Sequence, residues 1–455
     1  MKMYRIEKDT MGEVRVDDSR HWGAQTQRSL ENFPISCEKM PEEIIVGFAV
    51  LKKAAALANA KLGKLPEKSA GLISEICDEI IAGEHMSEFP LKVWQTGSGT
   101  QSNMNMNEVI AHFVNEREPG LNLHPNDHAN MSQSSNDTFP TAMNIAAVCS
   151  IRKNLIPAID SLESCFENLE KKYENVIKIG RTHLQDATPL KFSQEISAYS
   201  EMLRENRKML TESLSHLYRI ALGGTAVGTG LNAPEGFDRE SAKMISEITG
   251  FPFVTSPNKF HALTSKDAFV FAHGALTALA CNMMKIANDV RWSASGPRCG
   301  FSEIFIPENE PGSSIMPGKV NPTQCESMTM VCTQVMSNNQ AVAFAACQGN
   351  FQLNVFMPVC AHNFLQSVRL LSDGIKTFEK NCASGIRANE EKMKANLENS
   401  LMLVTCLSPA IGYDKAAKIA KYAHKNGLSL KQAALESGFV DEETFDMRVK
   451  PENMV

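Results

Sequence analysis

From Ser327 to Val368 the chain carries no Asp, Glu, Lys or Arg. Yet Gln334, Ser337, Asn338, Asn339, Gln340, Gln348, Asn350, Gln352 and Asn354 all lie inside that run. Such a stretch is too polar to span lipid and too uncharged to face water on every side. The economical solution is a helix surrounded by protein, either its own chain or copies of it.

Helical periodicity recurs on both sides of the run. Residues 189–220 open with Pro189, a residue suited to a first helical position. Ile196, Tyr199, Leu203, Leu210, Leu214 and Leu217 then mark one apolar stripe on a helix of about 30 residues. Residues 141–175 repeat the pattern. A third segment, 265–295, has no charge from Ala268 to Met284 and is interrupted by His273, Thr277 and Asn282. It is slightly short for a membrane span. A fourth runs from near Pro322 to Gln348. Strand signals are sparse. The reading is a mainly all-α chain in three parts: a mixed, mainly helical region 1–135, a central long-helix bundle 136–355, and ordinary helices such as 414–426 and 428–436 within 356–455.

The 455 residues carry a net charge of −6. No Lys/Arg cluster stands out, which argues against nucleic acid or an anionic membrane as a partner. The N-terminus lacks the apolar core of a signal peptide. The twelve cysteines are scattered and form no C-x-x-C pair. Reduced, mostly buried thiols are expected, with no metal or iron–sulfur site, in a cytoplasmic protein.

Five polar segments stand apart from this apolar background. Residues 311–322 read Pro-Gly-Ser-Ser-Ile-Met-Pro-Gly-Lys-Val-Asn-Pro. Gly and Pro give such a loop a defined shape, while Ser313, Ser314, Lys319 and Asn321 suit a small anion that is bound and deprotonated. A polar surface loop is the plain alternative. Residues 97–107 place Ser98, Thr100 and Ser102 before a helix, where an anion or a simple N-cap would fit. Ser134-Ser135-Asn136-Asp137 reads equally as a site or as a cap with an Asx-turn. His183, in the donor-rich segment 180–189, lies ahead of a long helix and can move protons near neutral pH. His124-Pro125-Asn126-Asp127-His128 is weak as a metal motif and reads better as a turn or a secondary anion site. Glu326 is the last acid before the uncharged run. A carboxylate there is expected to be paired or neutral.

The segment Gly-Ser-Ser-Ile-Met-Pro-Gly-Lys-Val-Asn-Pro resembles the signature of the fumarase/aspartase superfamily. The resemblance extends nearly end to end, through 97–105, 134–137, 182–187, Gly-Gly-Thr-Ala-Val-Gly-Thr-Gly at 223–230 and Ile-Pro-Glu-Asn-Glu-Pro at 306–311. Gly318, the tail Thr323-Gln324-Cys325-Glu326 and His183 match the iron-independent, class II fumarase branch; aspartases usually carry Ala and Gln at the positions of Gly318 and His183. The resemblance implies a three-domain, mainly helical fold and a homotetramer with a twenty-helix core. Each active site would then draw on three subunits. It also implies reversible trans-hydration of fumarate to L-malate, in the tricarboxylic acid cycle, through an aci-carboxylate carbanion and with no cofactor or metal.

On the same resemblance Ser313 is the base at C3, His183 protonates the departing C2 hydroxyl through a water, and Glu326 supports His183. Ser98, Thr100, Ser134, Ser135, Asn136, Thr182, Ser314, Lys319 and Asn321 bind the substrate carboxylates. His124, Pro125, Asn126 and Asp127 match a second dicarboxylate site. There the chain departs from the pattern: Leu121-Asn122-Leu123 stands where relatives commonly carry a basic residue, and His128 where many have Asp. An ammonia-lyase, or a silent structural member of the fold, are the alternatives.

Overall fold

The computed structural model describes residues 3–455. Three long helices expected from periodicity are present: Phe192–Leu217, Asp267–Ser293 and Thr323–Ala346; a further long helix, Met357–Asn381, stands where only ordinary helices were expected. At 1.5 Å per residue the longest, 27 residues, extends roughly 40 Å. The segment 141–175 is helical as far as Lys172 but not uniform. Ser135–Ser150 passes through a wide π-helical turn, Ile151–Leu155, into Ile156–Lys172. Pro157 lies two residues past the end of that turn and has no N–H to give back to it. The C-terminal helices Tyr413–Asn426 and Leu430–Glu436 also fall where expected.

Among the described residues the strands form five two-stranded pairs. One of them corrects the sequence reading. Pro189 does not begin a helix; it lies in the strand Gln185–Lys191, paired antiparallel with Ile177–Thr182, and the helix starts at Phe192. A proline is tolerated at the edge of a two-stranded ribbon, where no further strand needs its missing N–H.

The chain divides into two compact units. The first comprises residues 1–157, 206–280 and 331–372; the second comprises 158–205, 281–330 and 373–455. In the first, the helix Glu42–Lys61 packs on Glu67–Ile81, Ser135–Ser150 and Phe237–Thr249. Gly47 permits the closest approach: a Cβ there would sit 2.6 Å from the Ala142 carbonyl oxygen. In the second, Leu407, Ile419, Ala423, Ala433 and Ala434 form a C-terminal core that also takes in Ile179.

The uncharged run is polar but satisfied. Buried His273 shares hydrogen bonds with Asn339 Oδ1 at 3.1 Å and Ser367 Oγ at 2.9 Å. Asn338 donates to Ser367 Oγ at 3.0 Å and to Gln366 Oε1 at 2.9 Å. Burial pulls the His273 ring down to about 4, so it is neutral at pH 7. Neutral partners thus meet the hydrogen-bonding demand without a buried charge. The isolated chain nevertheless leaves Met330, Phe344, Phe351 and Val355 of this run exposed. One described helix, Asp267–Ser293, is long and apolar enough to cross a membrane, but 44% of its most apolar window is already buried within the chain.

Candidate active site

The first unit carries Ser98, Thr100, Ser134, Ser135 and Asn136. The turn 97–100 is set by glycines. A Cβ at Gly97 would lie 1.4 Å from the Val355 carbonyl oxygen, and Gly99 holds φ = 72° against the Phe139 ring. Gly99 is itself the N-cap of the helix Thr100–Arg117, and no side chain caps it. This corrects the capping alternative for the three hydroxyls. Ser98 Oγ and Thr100 Oγ1 bond one another at 2.8 Å, and Ser102 Oγ donates to Gln95 Oε1 at 3.0 Å.

Ser134 does cap a helix. It forms a reciprocal capping box with Asp137 at the start of Ser135–Ser150. Asp137 is fully buried. Its Oδ1 accepts the Ser134 N–H at 2.9 Å, and its Oδ2 accepts the N–H groups of Gly223 and Thr225 at 2.9 and 2.8 Å. Burial pushes this carboxyl up to about 6, against those three donors. Asn136 Nδ2 donates to the Ala226 carbonyl at 2.8 Å. The glycine-rich segment 223–230 is therefore clamped to the 134–137 turn.

A layer behind these residues was not read from the sequence. Asn103 Nδ2 donates to Ser135 Oγ at 3.0 Å and to Asn130 Oδ1 at 3.1 Å, and Thr138 Oγ1 donates to Asn103 Oδ1 at 3.0 Å. Lys52, wholly buried, donates to Asn130 Oδ1 at 3.0 Å and Gln133 Oε1 at 2.9 Å. Burial lowers the Lys52 ammonium to about 7. The one available signal was a lysine on the apolar face of an alanine-rich helix.

The second unit carries Thr182, His183, Ser313, Ser314, Lys319, Asn321 and Glu326. His183 does not directly precede a helix, as the sequence suggested. It occupies the tip of the 177–191 hairpin, where His183 and Leu184 take φ of 56° and 60°. Two consecutive left-handed residues make the tight turn that matches strand twist. Thr182 and His183 are exposed there. The hairpin is anchored by Arg181, which donates twice to buried Glu303 at 2.8 Å; Lys178 lies 3.2 Å from the same carboxylate. Burial pushes the Glu303 carboxyl up, but the Arg181 hydrogen bonds and the Lys178 charge outweigh it and hold the group below its usual value.

In the 311–322 loop, half-buried Ser313 Oγ accepts the N–H groups of Ile315 at 3.3 Å and Met316 at 3.1 Å. Asn321 Nδ2 donates to the Gly312 carbonyl at 2.5 Å. A Cβ at Gly312 would fall 1.6 Å from the Lys319 carbonyl oxygen, so only glycine lets the two ends of the loop meet. Ser314 and Lys319 are exposed. Glu326 departs from expectation: it is exposed in the first turn of Thr323–Ala346, so solvent solvates the carboxylate.

His124 caps the π-helical turn Pro125–Ala129, its Nδ1 accepting from Asn126 and Asp127 N–H at 3.3 and 3.2 Å. His124 N–H in turn donates to His128 Nδ1 at 2.7 Å. The segment is a turn, as read, with His124, Asn126 and Asp127 exposed.

Comparison with known proteins gives a consistent result. A family model described as Lyase matches residues 12–337, and one described as Fumarase C C-terminus matches 403–455. The chain is 58% identical to a Fumarate hydratase class II of Helicobacter pylori strain J99, over 99% of both chains. It is 57% identical to the Bacillus subtilis strain 168 protein of the same name, again over 99% of both. Among solved structures, a recombinant class II fumarase from Schistosoma mansoni superposes with a TM-score of 0.97 at 42% identity, covering 99% of each chain.

Proposed function

The chain belongs to the fumarase lyase family, and from that premise we propose that it is a hydro-lyase interconverting fumarate and L-malate, as in the tricarboxylic acid cycle. The observation that carries this reading is the end-to-end identity, 57–58% over 99% of the chain, to class II fumarate hydratases. It leaves no segment in which a different active site would have to be built.

The C3–H bond of malate is weakly acidic, and its removal leaves a carbanion delocalised into the neighbouring carboxylate. The site must stabilise that developing dianion more than the substrate. In the dehydration direction, Ser313 Oγ takes the C3 proton and the C2–O bond breaks. The departing hydroxide receives a proton from His183 through a water and leaves as a second water. Free serine is a weak base. The N–H groups of Ile315 and Met316 already point at Ser313 Oγ, which supports an alkoxide there. The Lys319 ammonium adds fixed charge. Lys319 and Asn321, with Ser98, Thr100, Ser134, Ser135, Asn136, Thr182 and Ser314, hold the carboxylates, and Glu326 orients His183. His124 to Asp127 take a second dicarboxylate.

Copies of the chain assemble as a tetramer, with each site drawn from three of them. Exposed Met330, Phe344 and Phe351 within the uncharged run support this, since such a face is expensive to leave in water. The protein works in the cytoplasm. Side-by-side assays on fumarate, malate and aspartate test the reading: reversible exchange of fumarate and malate is expected, and activity on aspartate alone overturns it. Sizing should return a tetramer; an active monomer rejects the assembly.

A further inference from the structure

His21, His112 and Glu116 converge within the first unit. His112 and Glu116 stand one turn apart on the helix Thr100–Arg117 and so share a face. His21 enters from the chain ahead of the helix Ala24–Asn32, its backbone N–H held by Glu88 Oε2 at 2.7 Å. Glu116 Oε2 lies 3.4 Å from His21 Nε2, and Glu116 Oε1 lies 3.5 Å from His112 Nε2. One donor atom from each residue lies within 4.8 Å of the others. Two donors bound ~2.1 Å from one tetrahedral ion are themselves about 3.4 Å apart. The observed spacing needs little adjustment to reach that value.

The rings are already oriented. His21 stacks on Phe113 with centroids 4.0 Å apart, and meets His112 edge-on at 5.0 Å. Behind it, His21 Nδ1 is buried without a hydrogen bond, 3.7 Å from Glu88 Oε2. A metal-bound imidazole uses its second nitrogen as a donor to a carboxylate, and buried Glu88 stands where that acceptor belongs. Arg5 also faces His112, but its guanidinium is engaged by Glu7 and by the carbonyls of Asp17, Arg20 and Trp22. Burial, then the charges of Arg5 and His21, hold His112 below the ordinary imidazole range.

We propose that His21, His112 and Glu116 form a three-ligand site for a divalent transition-metal ion of the zinc, cobalt or nickel class. Water completes the coordination from a cavity of about 640 Å³ that both histidines line. The site serves none of the steps above. A nearby cluster, Glu79, Glu84 and His85, also gathers three donors, but both Glu79 oxygens already accept from Arg117 at 2.7 and 2.6 Å.

The test is titration of the chelator-stripped full chain with zinc and cobalt chlorides, read by calorimetry and by the visible absorption of Co(II). One ion per chain should bind saturably, with a tetrahedral cobalt spectrum. His112→Ala and Glu116→Gln should each weaken binding at least ~10-fold, the low end of what even outer-shell changes cost. Glu116 is on an exposed helical surface, so Glu116→Gln should fold as the parent does, which circular dichroism checks. His85→Ala should bind as the parent does. Absence of saturable uptake, uptake indifferent to His112→Ala and Glu116→Gln (as surface thiols would give), or loss on His85→Ala each overturns the proposal.

Discussion

The turn at Ser134–Asp137 and the loop at 311–322 both present paired serines, but they are held in opposite ways. The first is built from behind. Buried Asp137 collects three N–H donors, and Asn103, Asn130 and Lys52 fix Ser135 through a second layer. The second is built from within. Its shape rests on Ser313 accepting two loop N–H groups, on Asn321 reaching Gly312, and on the close contact of Gly312 with Lys319. The contrast suits the division of labour proposed above. A wall that only positions carboxylates can be rigid and buried, whereas a serine that gains and loses a proton needs donors aimed at it.

Substitutions can separate the two constructions, and the largest effect belongs to chemistry. Ser313→Ala should cut turnover at least ~100-fold with little change in Tm, because the loop is largely exposed and water can take up the two N–H groups that Ser313 Oγ releases. His183→Asn should do the same, since asparagine tolerates the left-handed backbone of the hairpin tip. Near-normal kinetics in either variant removes that residue from the mechanism. Next come the glycines. Gly312→Ala should abolish most activity while sparing stability. Gly97→Ala should cost about 1–3 kcal/mol of stability as well, the scale of overpacking a close contact. Equal Tm losses in the two would erase the distinction between wall and loop.

Asp137→Asn is a sharper probe of the wall alone. An amide can accept with only one oxygen, and its NH2 would face N–H donors, so about 1–3 kcal/mol should be lost in denaturant unfolding at fixed chain concentration. The smallest effect is a pH dependence. Lys52 is held near 7 when folded and titrates at its ordinary, higher value when unfolded. Between those values the unfolded chain binds the extra proton, so this lysine makes stability rise with pH, by at most about 1.4 kcal/mol per unit. Lys52→Met should flatten that rise between pH 7 and 9; an unchanged slope would place the proton elsewhere.

The same contrast explains what could be read without a structure. The long helices were legible because one face of each repeats with helical period, as from Ile196 to Leu217. The uncharged run announced burial, and His273, Asn338 and Ser367 show how its polarity is absorbed. Ser134 was legible as a cap because its partner Asp137 is three residues away. The hairpin under His183 was not. Its strands lack clean alternation, Pro189 imitates a helix start, and Arg181 is anchored by Glu303, 122 residues distant. Lys52 and Glu326 were misleading in opposite senses. A lysine on a helix normally faces water, yet Lys52 is buried; an acid bordering an apolar run suggests burial, yet Glu326 is exposed. For Lys52 the deciding partners, Asn130 and Gln133, lie 78 and 81 residues along the chain.

The central claim is that this chain adds water across fumarate with base and acid on opposite faces. Hydration of fumarate in deuterium oxide, followed by proton NMR of the malate, tests it directly. L-malate should carry one deuterium at C3 in a single diastereomer, the one from trans addition. A mixture of C3 diastereomers, the cis product, or no malate at all would contradict it.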